Sequence, residues 1–555
     1  MAAALGDSPD DLDAAPEPRA RTVPALLATA ADQFGDAEAL VDGAARWTFR
    51  ELAAEVGRCS AAMIASGVAP GDRVAVWAPN SRRFVVAALG AVSVGAVLVP
   101  VNTRFKGEEA AWILGKSGTR LLLVDNGFLG NDYLGMLGAA GTGGGSAAAG
   151  RPVAGLPALQ EVVTLGGRSA PDATPFEEFL SRGNGVGSGS VVARQDAVGE
   201  DDVADMFFTS GTTGRPKGAM TTHAQNVRVF AAWGDGVGLR RGDRYLLVNP
   251  LFHTFGYKAG LLACLIKGAT LVLQPVFDAG QALTLIGSER ITVLPGPPTL
   301  YAALLDHPSR SSADLRSLRL AVTGAAVVPV ALVERLRAEL FPEVVIAYGL
   351  TESCGTVTVG DRRADAQTIA TTVGRPIPGT EVIVADSDGR ARPAGESGEV
   401  LVRGYNVMRG YFDDPAATAE AIDADGWLHT GDVGVLGSDG LLRITDRLKD
   451  VFIAGGFNVY PAEVEQLIAR HPAVSEVAVI GVPDDRLGEV CRAYVIPRRG
   501  TEIDPAEIIE FCRDRLANFK VPRSVVVVAE LPRNAAGKVL KYVLRTEAAG
   551  RTGSH

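Results

Sequence analysis

Short apolar segments alternate with amphipathic helical segments over most of the chain, and this alternation limits the possible folds more than any other feature. A first series is followed by a second one within roughly 203–385. Because a strand, a helix and a second strand in succession pack as a parallel sheet covered by helices, the pattern predicts an α/β protein with two β/α lobes. The segments with strand character are 73–77, 96–99, 245–248, 270–273 and 318–322, and a helix is expected around 83–95.

The length of 555 residues indicates further divisions, since single cores stop growing near ~250–300 residues. After Asp386, short strands broken by glycine turns predict a small, mostly antiparallel β lobe. The remaining C-terminal residues are typical of a separate α+β unit, with a boundary near Asp446. Residues 1–20 are polar, acidic and proline-bearing, which predicts a disordered lead, and GTGGGSAAAG at 141–150 predicts an exposed loop.

Composition and charge exclude several classes of protein. The formal net charge is −10 with a pI near 5.3, whereas a nucleic-acid-binding face needs clustered Lys and Arg, so we expect a small-molecule ligand and no nucleic acid. The five cysteines show no CxxC pairing, which disfavours a zinc site or a disulfide framework and favours the reducing cytoplasm. The acidic N-terminus lacks a secretory pattern, and no uncharged apolar run reaches the ~18 residues of a transmembrane helix. A homodimer is left open.

The segment FFTSGTTGRPKG at 207–218 follows an apolar strand and has the composition of a phosphate-binding loop. Glycines allow backbone N–H groups to approach an anion, hydroxyls donate further hydrogen bonds, and Lys217 or Arg215 adds positive charge. A Walker A loop requires glycine immediately before its lysine and Ser or Thr immediately after it. Pro216 and Gly218 occupy those positions, so a P-loop NTPase is excluded. A Gly- and Thr-rich surface turn is the alternative for this segment alone.

Five segments, in order along the chain, resemble the signature motifs of the adenylate-forming superfamily, which includes acyl-CoA synthetases, luciferases and peptide-synthetase adenylation domains. They are TSGTTGRPKG at 209–218, YGLTE at 348–352, HTGD at 429–432, DRLKDVFIAGGFNVYPAEVE at 446–465 and PRNAAGKVLK at 532–541. The resemblance covers the chain from about residue 23 to residue 545 and indicates the fatty-acid–CoA ligases. It implies an N-terminal adenylation domain (21–446), a hinge (447–449) and a mobile α+β C-terminal domain (450–555) with a short disordered tail.

The resemblance implies a reaction in two steps. A carboxylic acid is joined to the α-phosphate of ATP with release of pyrophosphate, and the acyl group then passes to the thiol of CoA, which leaves AMP. Two anions must be brought together, so positioning and charge neutralisation matter more than a protein nucleophile. Mg²⁺ is the implied cofactor, with Glu352 as its ligand, because hard cations prefer oxygen. Lys538 is expected to bridge the carboxylate and the α-phosphate, and the implied catalytic residues are Lys538, Glu352, Thr351 and His253.

The resemblance also assigns the nucleotide and CoA contacts. Tyr348 is expected to stack on adenine, and Asp432 to accept hydrogen bonds from the ribose hydroxyls with help from Arg447. Lys449 is the implied hinge residue. The implied ATP-binding residues are Thr209, Ser210, Gly211, Thr212, Thr213, Gly214, Lys217, Gly324, Ala325, Ala326, Tyr348, Gly349, Asp432 and Arg447, and the pantetheine arm of CoA is expected at Gly455, Gly456 and Phe457.

The segment LFHTFGYKAG at 251–260 resembles the family segment beside the acyl pocket, with His253 as the gate between the acyl and thiol tunnels. The implied pocket residues are Phe255, Gly256, Tyr257 and Lys258. Amino-acid-activating relatives place an aspartate here, and its absence disfavours an amino-acid substrate. The family's carrier-protein ligases have an insertion before the hinge, which this chain lacks, so CoA is preferred. Since an unpaired buried ammonium costs several kcal/mol, we expect Lys258 to meet a ring oxygen of the acid, directly or through water, or else to face solvent.

A narrower resemblance concerns the acid. FGYKAG at 255–260, ITVLPGPPT at 291–299 and AVTGAAVVPV at 321–330 resemble actinobacterial synthetases that attach CoA to the propanoate on the CD rings left by cholesterol breakdown. A fatty acid or a steroid-ring-derived propanoate is therefore expected. A luciferase-like oxygenase, an aryl-CoA ligase and a catalytically silent binding protein are the alternatives on the same scaffold. The silent protein is disfavoured, because Lys538 and Glu352 are both present.

Overall fold

The computed structural model describes residues 18–141, 153–168, 170–209, 216–324, 328–448, 450–454, 457–484, 487–513, 515–516, 518–534 and 537–552. In chain order, the α-helices are α1 (Val23–Phe34), α2 (Phe49–Ala65), α3 (Arg82–Ser93), α4 (Gly107–Ser117), α5 (Tyr133–Gly141), α6 (Phe176–Arg182), α7 (Ser188–Asp196), α8 (His223–Val237), α9 (Thr254–Gly256), α10 (Ala263–Lys267), α11 (Ala279–Ser288), α12 (Pro298–Leu305), α13 (Val330–Glu339), α14 (Ala366–Thr371), α15 (Pro415–Ala421), α16 (Pro461–Ile468), α17 (Pro505–Arg513) and α18 (Lys541–Thr552). A π-helix, Tyr257–Leu262, joins α9 to α10. Short 3₁₀ turns are Phe128–Gly130, Gly183–Gly185, Pro308–Ser312 and Thr351–Ser353.

The strands of the first half are β1 (Glu38–Asp42), β2 (Ala45–Thr48), β3 (Arg73–Trp77), β4 (Val97–Pro100), β5 (Leu121–Asn126), β6 (Glu161–Gly167), β7 (Thr174–Pro175), β8 (Val203–Thr209), β9 (Lys217–Thr222), β10 (Arg244–Leu247), β11 (Thr270–Leu273), β12 (Val293–Pro295) and β13 (Leu320–Gly324). Those of the second half are β14 (Glu343–Tyr348), β15 (Thr358–Val359), β16 (Arg375–Pro376), β17 (Thr380–Ala385), β18 (Ser397–Gly404), β19 (Gly410–Tyr411), β20 (Leu428–Leu436), β21 (Leu442–Arg447), β22 (Phe452–Ala454), β23 (Phe457–Val459), β24 (Val474–Asp484), β25 (Gly488–Pro497) and β26 (Ser524–Val527).

Two large sheets form the first part of the protein. One has the strand order β16-β15-β14-β13-β12-β10-β11-β1-β2, and the other β19-β9-β8-β4-β3-β5-β6-β7. Strands in the middle of each sheet are parallel, while β2, β9, β15, β16 and β19 pair antiparallel at the edges. Buried apolar side chains of both sheets form one continuous core with α1, α2, α3, α8 and the helical segment 254–267. This arrangement confirms the predicted α/β class with two parallel-sheet lobes.

The predicted small β lobe is also present. Strands β17, β18, β20 and β21 form a four-stranded antiparallel sheet. It begins at Thr380, slightly before the expected change of pattern at Asp386, and the turn at Pro378-Gly379, where Gly379 has a φ of 74°, marks its start.

The last part of the chain has a sheet and cores of its own. Strands β23, β22, β25 and β24 form the sheet, and β26 pairs with β25 in parallel. Helices α16 and α17 contribute buried residues to one core, and α18 contributes Leu544 and Ala548 to a second. A sheet covered by helices matches the expected α+β unit. The first 17 residues, most of segment 141–150 and the last three residues lie outside the described residues, so the predicted lead, loop and tail stay predictions.

Candidate active site

The ends of several strands bring the predicted nucleotide residues together. Thr209 ends β8, Gly324 ends β13 and Tyr348 ends β14, so these residues lie at carboxyl ends of parallel strands, where ligands bind in open α/β sheets. Lys217 begins β9 and pairs with Thr209 across the antiparallel register. The phosphate-loop residues between them lie outside the described residues: Ser210, Gly211, Thr212, Thr213 and Gly214. Ala325 and Ala326, after Gly324, also lie outside them.

The glycines at this edge are required by space. A Cβ atom on Gly324 would lie 2.5 Å from the carbonyl oxygen of Ala347, and one on Gly349 would lie 2.6 Å from Cα of Thr356. Both neighbours are backbone atoms that cannot rotate away. The turn from Tyr348 into the 3₁₀ segment can therefore close only with glycine at position 349.

Glu352 lies in the 3₁₀ turn Thr351–Ser353 and is held by two hydroxyls. The Thr209 hydroxyl donates to its Oε1 at 3.1 Å, and the Tyr411 hydroxyl donates to the same oxygen at 2.8 Å. The backbone N–H of Met408 donates to its carbonyl oxygen at 2.8 Å. Its second carboxylate oxygen, Oε2, accepts no hydrogen bond from the described residues, which leaves it available to a cation.

The structure tests whether this site suits Mg²⁺. Among the residues that the structure describes, no group of three or more His, Cys, Asp or Glu side chains is placed to hold a metal ion. Mg²⁺ is usually bound by one or two carboxylates together with substrate phosphates and water, rather than by a complete protein cage. One carboxylate with an available oxygen, next to the flank of the phosphate loop, fits that pattern.

Tyr348, Asp432 and Arg447 form a connected group beside the same edge. The Tyr348 hydroxyl donates to Oδ2 of Asp432 at 2.7 Å, and Nε of Arg447 lies 2.8 Å from Oδ1. The Asp432 side chain is only 2% exposed. Burial and the neighbouring Asp432 carboxylate raise the pKa of Tyr348 well above its usual 10, so the phenol keeps its proton and remains a donor. Three residues predicted for adenine and ribose therefore lie within hydrogen-bonding distance of each other.

Lys538 lies on a tight turn immediately before α18. The backbone N–H of Lys538 donates to Oδ1 of Asn534 at 2.9 Å, and the Asn534 N–H donates to the Lys538 carbonyl oxygen at 2.9 Å. Arg533 donates to the Gly537 carbonyl at 2.7 Å and forms an ion pair with Glu476 of the C-terminal sheet. The position of the Lys538 backbone is thus fixed relative to the C-terminal sheet.

Comparison with known proteins identifies the family of this chain. Residues 27–412 match the family described as AMP-binding enzyme, and residues 463–538 match the AMP-binding enzyme C-terminal domain. The chain belongs to the AMP-binding enzyme family. The sequence-based prediction of the adenylate-forming superfamily is thereby confirmed.

Three relatives of this AMP-binding enzyme are informative. This chain is 50% identical to the 3-[(3aS,4S,7aS)-7a-methyl-1,5-dioxo-octahydro-1H-inden-4-yl]propanoyl:CoA ligase of Rhodococcus jostii, and the match covers 95% of this chain and 98% of that relative. It is 52% identical, with the same coverage, to the ligase of the same name in Mycobacterium tuberculosis. Among solved structures, ATP-bound MatB from Rhodopseudomonas palustris is similar, with a TM-score of 0.80 and 30% identity over 95% of this chain and 99% of that one.

His253 lies at the start of the helical segment that carries the predicted acyl-pocket residues. Its Nδ1 accepts a hydrogen bond from the Phe255 N–H at 3.2 Å, which leaves the proton of a neutral ring on Nε2. Burial lowers the pKa of His253 to about 4. Gly256 follows in α9, where any Cβ would collide with the carbonyl group of Pro250. The close approach of these two segments therefore requires glycine at position 256.

Two further residues of this segment are buried. Tyr257 packs against Phe207 with ring centroids 6.0 Å apart, and its hydroxyl has no partner among the described residues. The Lys258 ammonium is not solvent-exposed: it lies 3.0 Å from Oδ1 of Asp205, with both side chains 1% exposed. Thus Lys258 does have the polar partner that its burial requires, but the partner is a carboxylate of the protein rather than a ring oxygen of an acid.

The predicted hinge lies between Asp446, which ends the predicted N-terminal domain and contacts the C-terminal one, and Asp450, which begins the C-terminal domain. Asp446 accepts a hydrogen bond from the Ala462 N–H at 2.8 Å, and Asp450 forms an ion pair with Arg545 at 2.9 Å. Lys449 itself lies outside the described residues, as do Gly455 and Gly456. Phe457 begins β23, which pairs antiparallel with β22.

Sequence reasoning missed Tyr411 and Asp205. Tyr411 lies 59 positions from Glu352, and its hydroxyl reaches that residue because β19 pairs with β9 beside the phosphate loop. Lys217 also lies over the Tyr411 ring, with Nζ 5.2 Å from the centroid. Asp205 is 53 positions from Lys258, but an acidic residue inside an apolar strand was a visible signal that a buried partner exists.

Proposed function

We propose that this protein is an AMP-forming acyl-CoA ligase whose acid is a propanoate on an oxidised bicyclic ring system derived from a steroid. The identity of 50–52% to two ligases named for such an acid, over 95% of the chain, carries the proposal. The contacts among the predicted site residues add support for ATP chemistry, because Thr209 is hydrogen-bonded to Glu352 and Tyr348 to Asp432.

In the first half-reaction, the chain's own residues position ATP and the acid. We assign the phosphates to the loop between Thr209 and Lys217, and the ribose to Asp432 and Arg447. Glu352 would hold Mg²⁺, which supplies charge neutralisation at the phosphates when it is bound. Lys538 would enter from the C-terminal domain and bring one positive charge to the carboxylate and the α-phosphate, since these two anions otherwise repel each other.

In the second half-reaction, the C-terminal domain would rotate about Lys449 so that Lys538 withdraws and Gly455, Gly456 and Phe457 admit the pantetheine arm. A neutral His253, with its pKa near 4, would gate the path of the thiol without adding charge. We also propose a cytoplasmic enzyme, because all five cysteines are buried free thiols. The part of the chain that the structure describes has no helix long and apolar enough to cross a membrane. Mass measurement in solution decides between a monomer and a homodimer.

The test is CoA-dependent AMP release with a panel of acids. The panel contains 3-(7a-methyl-1,5-dioxo-octahydroinden-4-yl)propanoate, a straight-chain fatty acid and an aromatic acid. We expect the bicyclic acid to give the highest kcat/KM. A preference for the fatty or aromatic acid would overturn the proposed substrate, and ATP consumption without any acid would overturn the proposed reaction. Oxygen uptake without CoA would favour the luciferase-like alternative.

A further inference from the structure

A closed ring of five buried side chains lies behind the proposed ATP site. The Lys258 ammonium donates to the Thr221 hydroxyl at 2.7 Å and contacts Asp205 at 3.0 Å and the Cys354 sulfur at 3.5 Å. Thr221 donates to Asp205 at 2.6 Å. Asn226 donates to the other Asp205 oxygen at 2.5 Å and accepts from the Cys354 thiol at 3.4 Å. We refer to these residues as the buried ring: Asp205, Thr221, Asn226, Lys258 and Cys354.

Every polar side-chain atom of the buried ring has at least one hydrogen-bond partner. All three ammonium protons of Lys258 have an acceptor, and both oxygens of Asp205 have a donor. Thr221 uses its hydroxyl as donor on one side and acceptor on the other. The Cys354 sulfur donates to the Asn226 side-chain oxygen at 3.4 Å and accepts from Lys258 at 3.5 Å. A fully satisfied polar network rigidifies its surroundings, because each alternative arrangement leaves a buried group unpaired.

The members of the buried ring come from separate segments, and four of them lie close in sequence to a residue of the proposed active site. Asp205 precedes Thr209 on β8, and Thr221 follows Lys217 on β9. Lys258 follows His253 in the same helical segment, and Cys354 comes two residues after Glu352. Cys354 also has a left-handed backbone with φ of 57°, a conformation that a residue with a Cβ adopts only when its surroundings enforce it.

We propose that Lys258 and Asp205 are positioning residues for adenylation: the buried ring fixes the two flanks of the phosphate loop, the His253 segment and Glu352 relative to each other. This inference rests on the proposed function only for its kinetic readout. A buried ion pair is weak evidence for a stabilising role, since well-packed apolar residues of similar size are often as stable or more stable. Geometry, rather than stability, is what the charged pair provides here.

The double variant D205L/K258M separates these two roles. It removes both charges together, so no unpaired ion is left buried, but Thr221 and the Asn226 amide lose their partners, and we expect a folded protein with a lowered melting temperature. We expect its adenylation kcat, measured by ATP–pyrophosphate exchange, to fall at least ~10-fold, and its ATP dissociation constant, measured by calorimetry without acid, to rise at least ~10-fold. Wild-type values of both constants would overturn the proposal.

A matched control exists at the opposite end of the large sheet. Arg319 and Asp243 form a buried ion pair, with side chains 14% and 3% exposed, where β10 and β13 begin rather than where they end. The control D243L/R319M should leave kcat and the ATP dissociation constant unchanged. Equal kinetic losses in both double variants would mean that any buried pair affects the site, which contradicts a specific positioning role.

A milder variant keeps the test decisive if D205L/K258M does not fold. T221V keeps the shape of Thr221 but removes one donor to Asp205 and one acceptor for Lys258, and we expect ATP binding to weaken about threefold or more. Unchanged ATP binding in T221V would overturn the proposal. A wild-type enzyme that activates none of the tested acids would refute the proposed function. The role of the buried ring in ATP binding could still be tested in that case, because the calorimetric measurement needs no acid.

Discussion

Replacing Asp446 with asparagine should remove a pH-dependent loss of stability at the junction of the two domains. Asp446 is 7% exposed and is the penultimate residue of β21. Its oxygens accept hydrogen bonds from the N–H groups of Arg447 and Ala462, each at 2.8 Å. Nearby, Lys541 and Glu465 form an ion pair at 2.9 Å. Burial raises the pKa of Asp446 from its ordinary 3.8 to about 6, although Lys541 acts in the opposite direction.

The magnitude follows from the difference between the two pKa values. A raised pKa in the folded state means that the folded protein binds the proton more tightly than the unfolded chain does. The corresponding stability is fully present below pH 3.8 and is lost as the pH rises through about 6. At ~1.4 kcal/mol for each pH unit of difference, the ionised carboxylate reduces the free energy of unfolding by about 3 kcal/mol above the folded pKa. Asparagine is neutral at every pH and keeps an oxygen for the Ala462 N–H.

The assay compares melting temperatures of wild type and D446N at about pH 5 and about pH 8. About half of the ~3 kcal/mol develops between these pH values, because the unfolded carboxyl is already mostly ionised at about pH 5. The melting temperature of D446N relative to wild type should therefore be about 1–2 °C higher at the alkaline pH than at the acidic one. The comparison between variants cancels the pH dependence of groups that do not interact with Asp446. A temperature difference that is the same at both pH values would refute the assigned pKa shift, and so would a difference that grows towards acid.

Three further variants test individual parts of the site. Y411F removes the hydroxyl that donates to Glu352 at 2.8 Å, and hydrogen bonds to charged groups contribute ~1.5–3 kcal/mol. Adenylation, measured by pyrophosphate exchange, should therefore slow at least ~10-fold. An unchanged rate would rule out the positioning of Glu352 by Tyr411. Because the pKa of His253 is about 4, the ring does not titrate between about pH 5.5 and pH 8. The shape of the kcat–pH profile in that range should therefore be the same in wild type and H253A, even if the absolute rates differ. A change of kcat with pH that is present only in wild type would contradict a neutral ring. G349A should raise the KM for ATP, because the added Cβ collides with backbone atoms. The control G57A lies on α2, where a Cβ meets nothing within 4 Å, and it should leave that KM unchanged. Equal KM values for the two variants would show that the turn at Gly349 tolerates a side chain.

The parts of the fold and site that the sequence predicted are local ones. The alternation of apolar and amphipathic segments predicts strands such as β3 and helices such as α3, because each depends on a few consecutive residues. Motifs identify Glu352, Asp432 and Lys538 for the same reason. Glycine at position 349 is visible in the YGLTE motif, although only the structure shows the backbone that it must avoid.

Contacts between distant segments could not be predicted. The cost of burying the Lys258 charge predicts a polar partner, but nothing local indicates that the partner is Asp205 on β8. The hydroxyl of Tyr411 meets Glu352 only because β19, which lies in the chain between β18 and β20 of the small sheet, leaves that sheet to pair with β9. Such pairings depend on the order of strands in the sheets, which a single sequence does not encode in any short pattern.

The central claim is that one lysine, carried by the C-terminal domain, serves only the first half-reaction. The most direct measurement compares K538A with wild type in two assays: pyrophosphate exchange with ATP and acid, and CoA thioester formation from preformed acyl-AMP. We expect exchange to fall at least ~10²-fold while thioester formation stays near the wild-type rate. K520A, which removes another lysine of the C-terminal domain that is paired with Glu463, should leave both rates unchanged. Equal losses of K538A in the two assays would contradict the account.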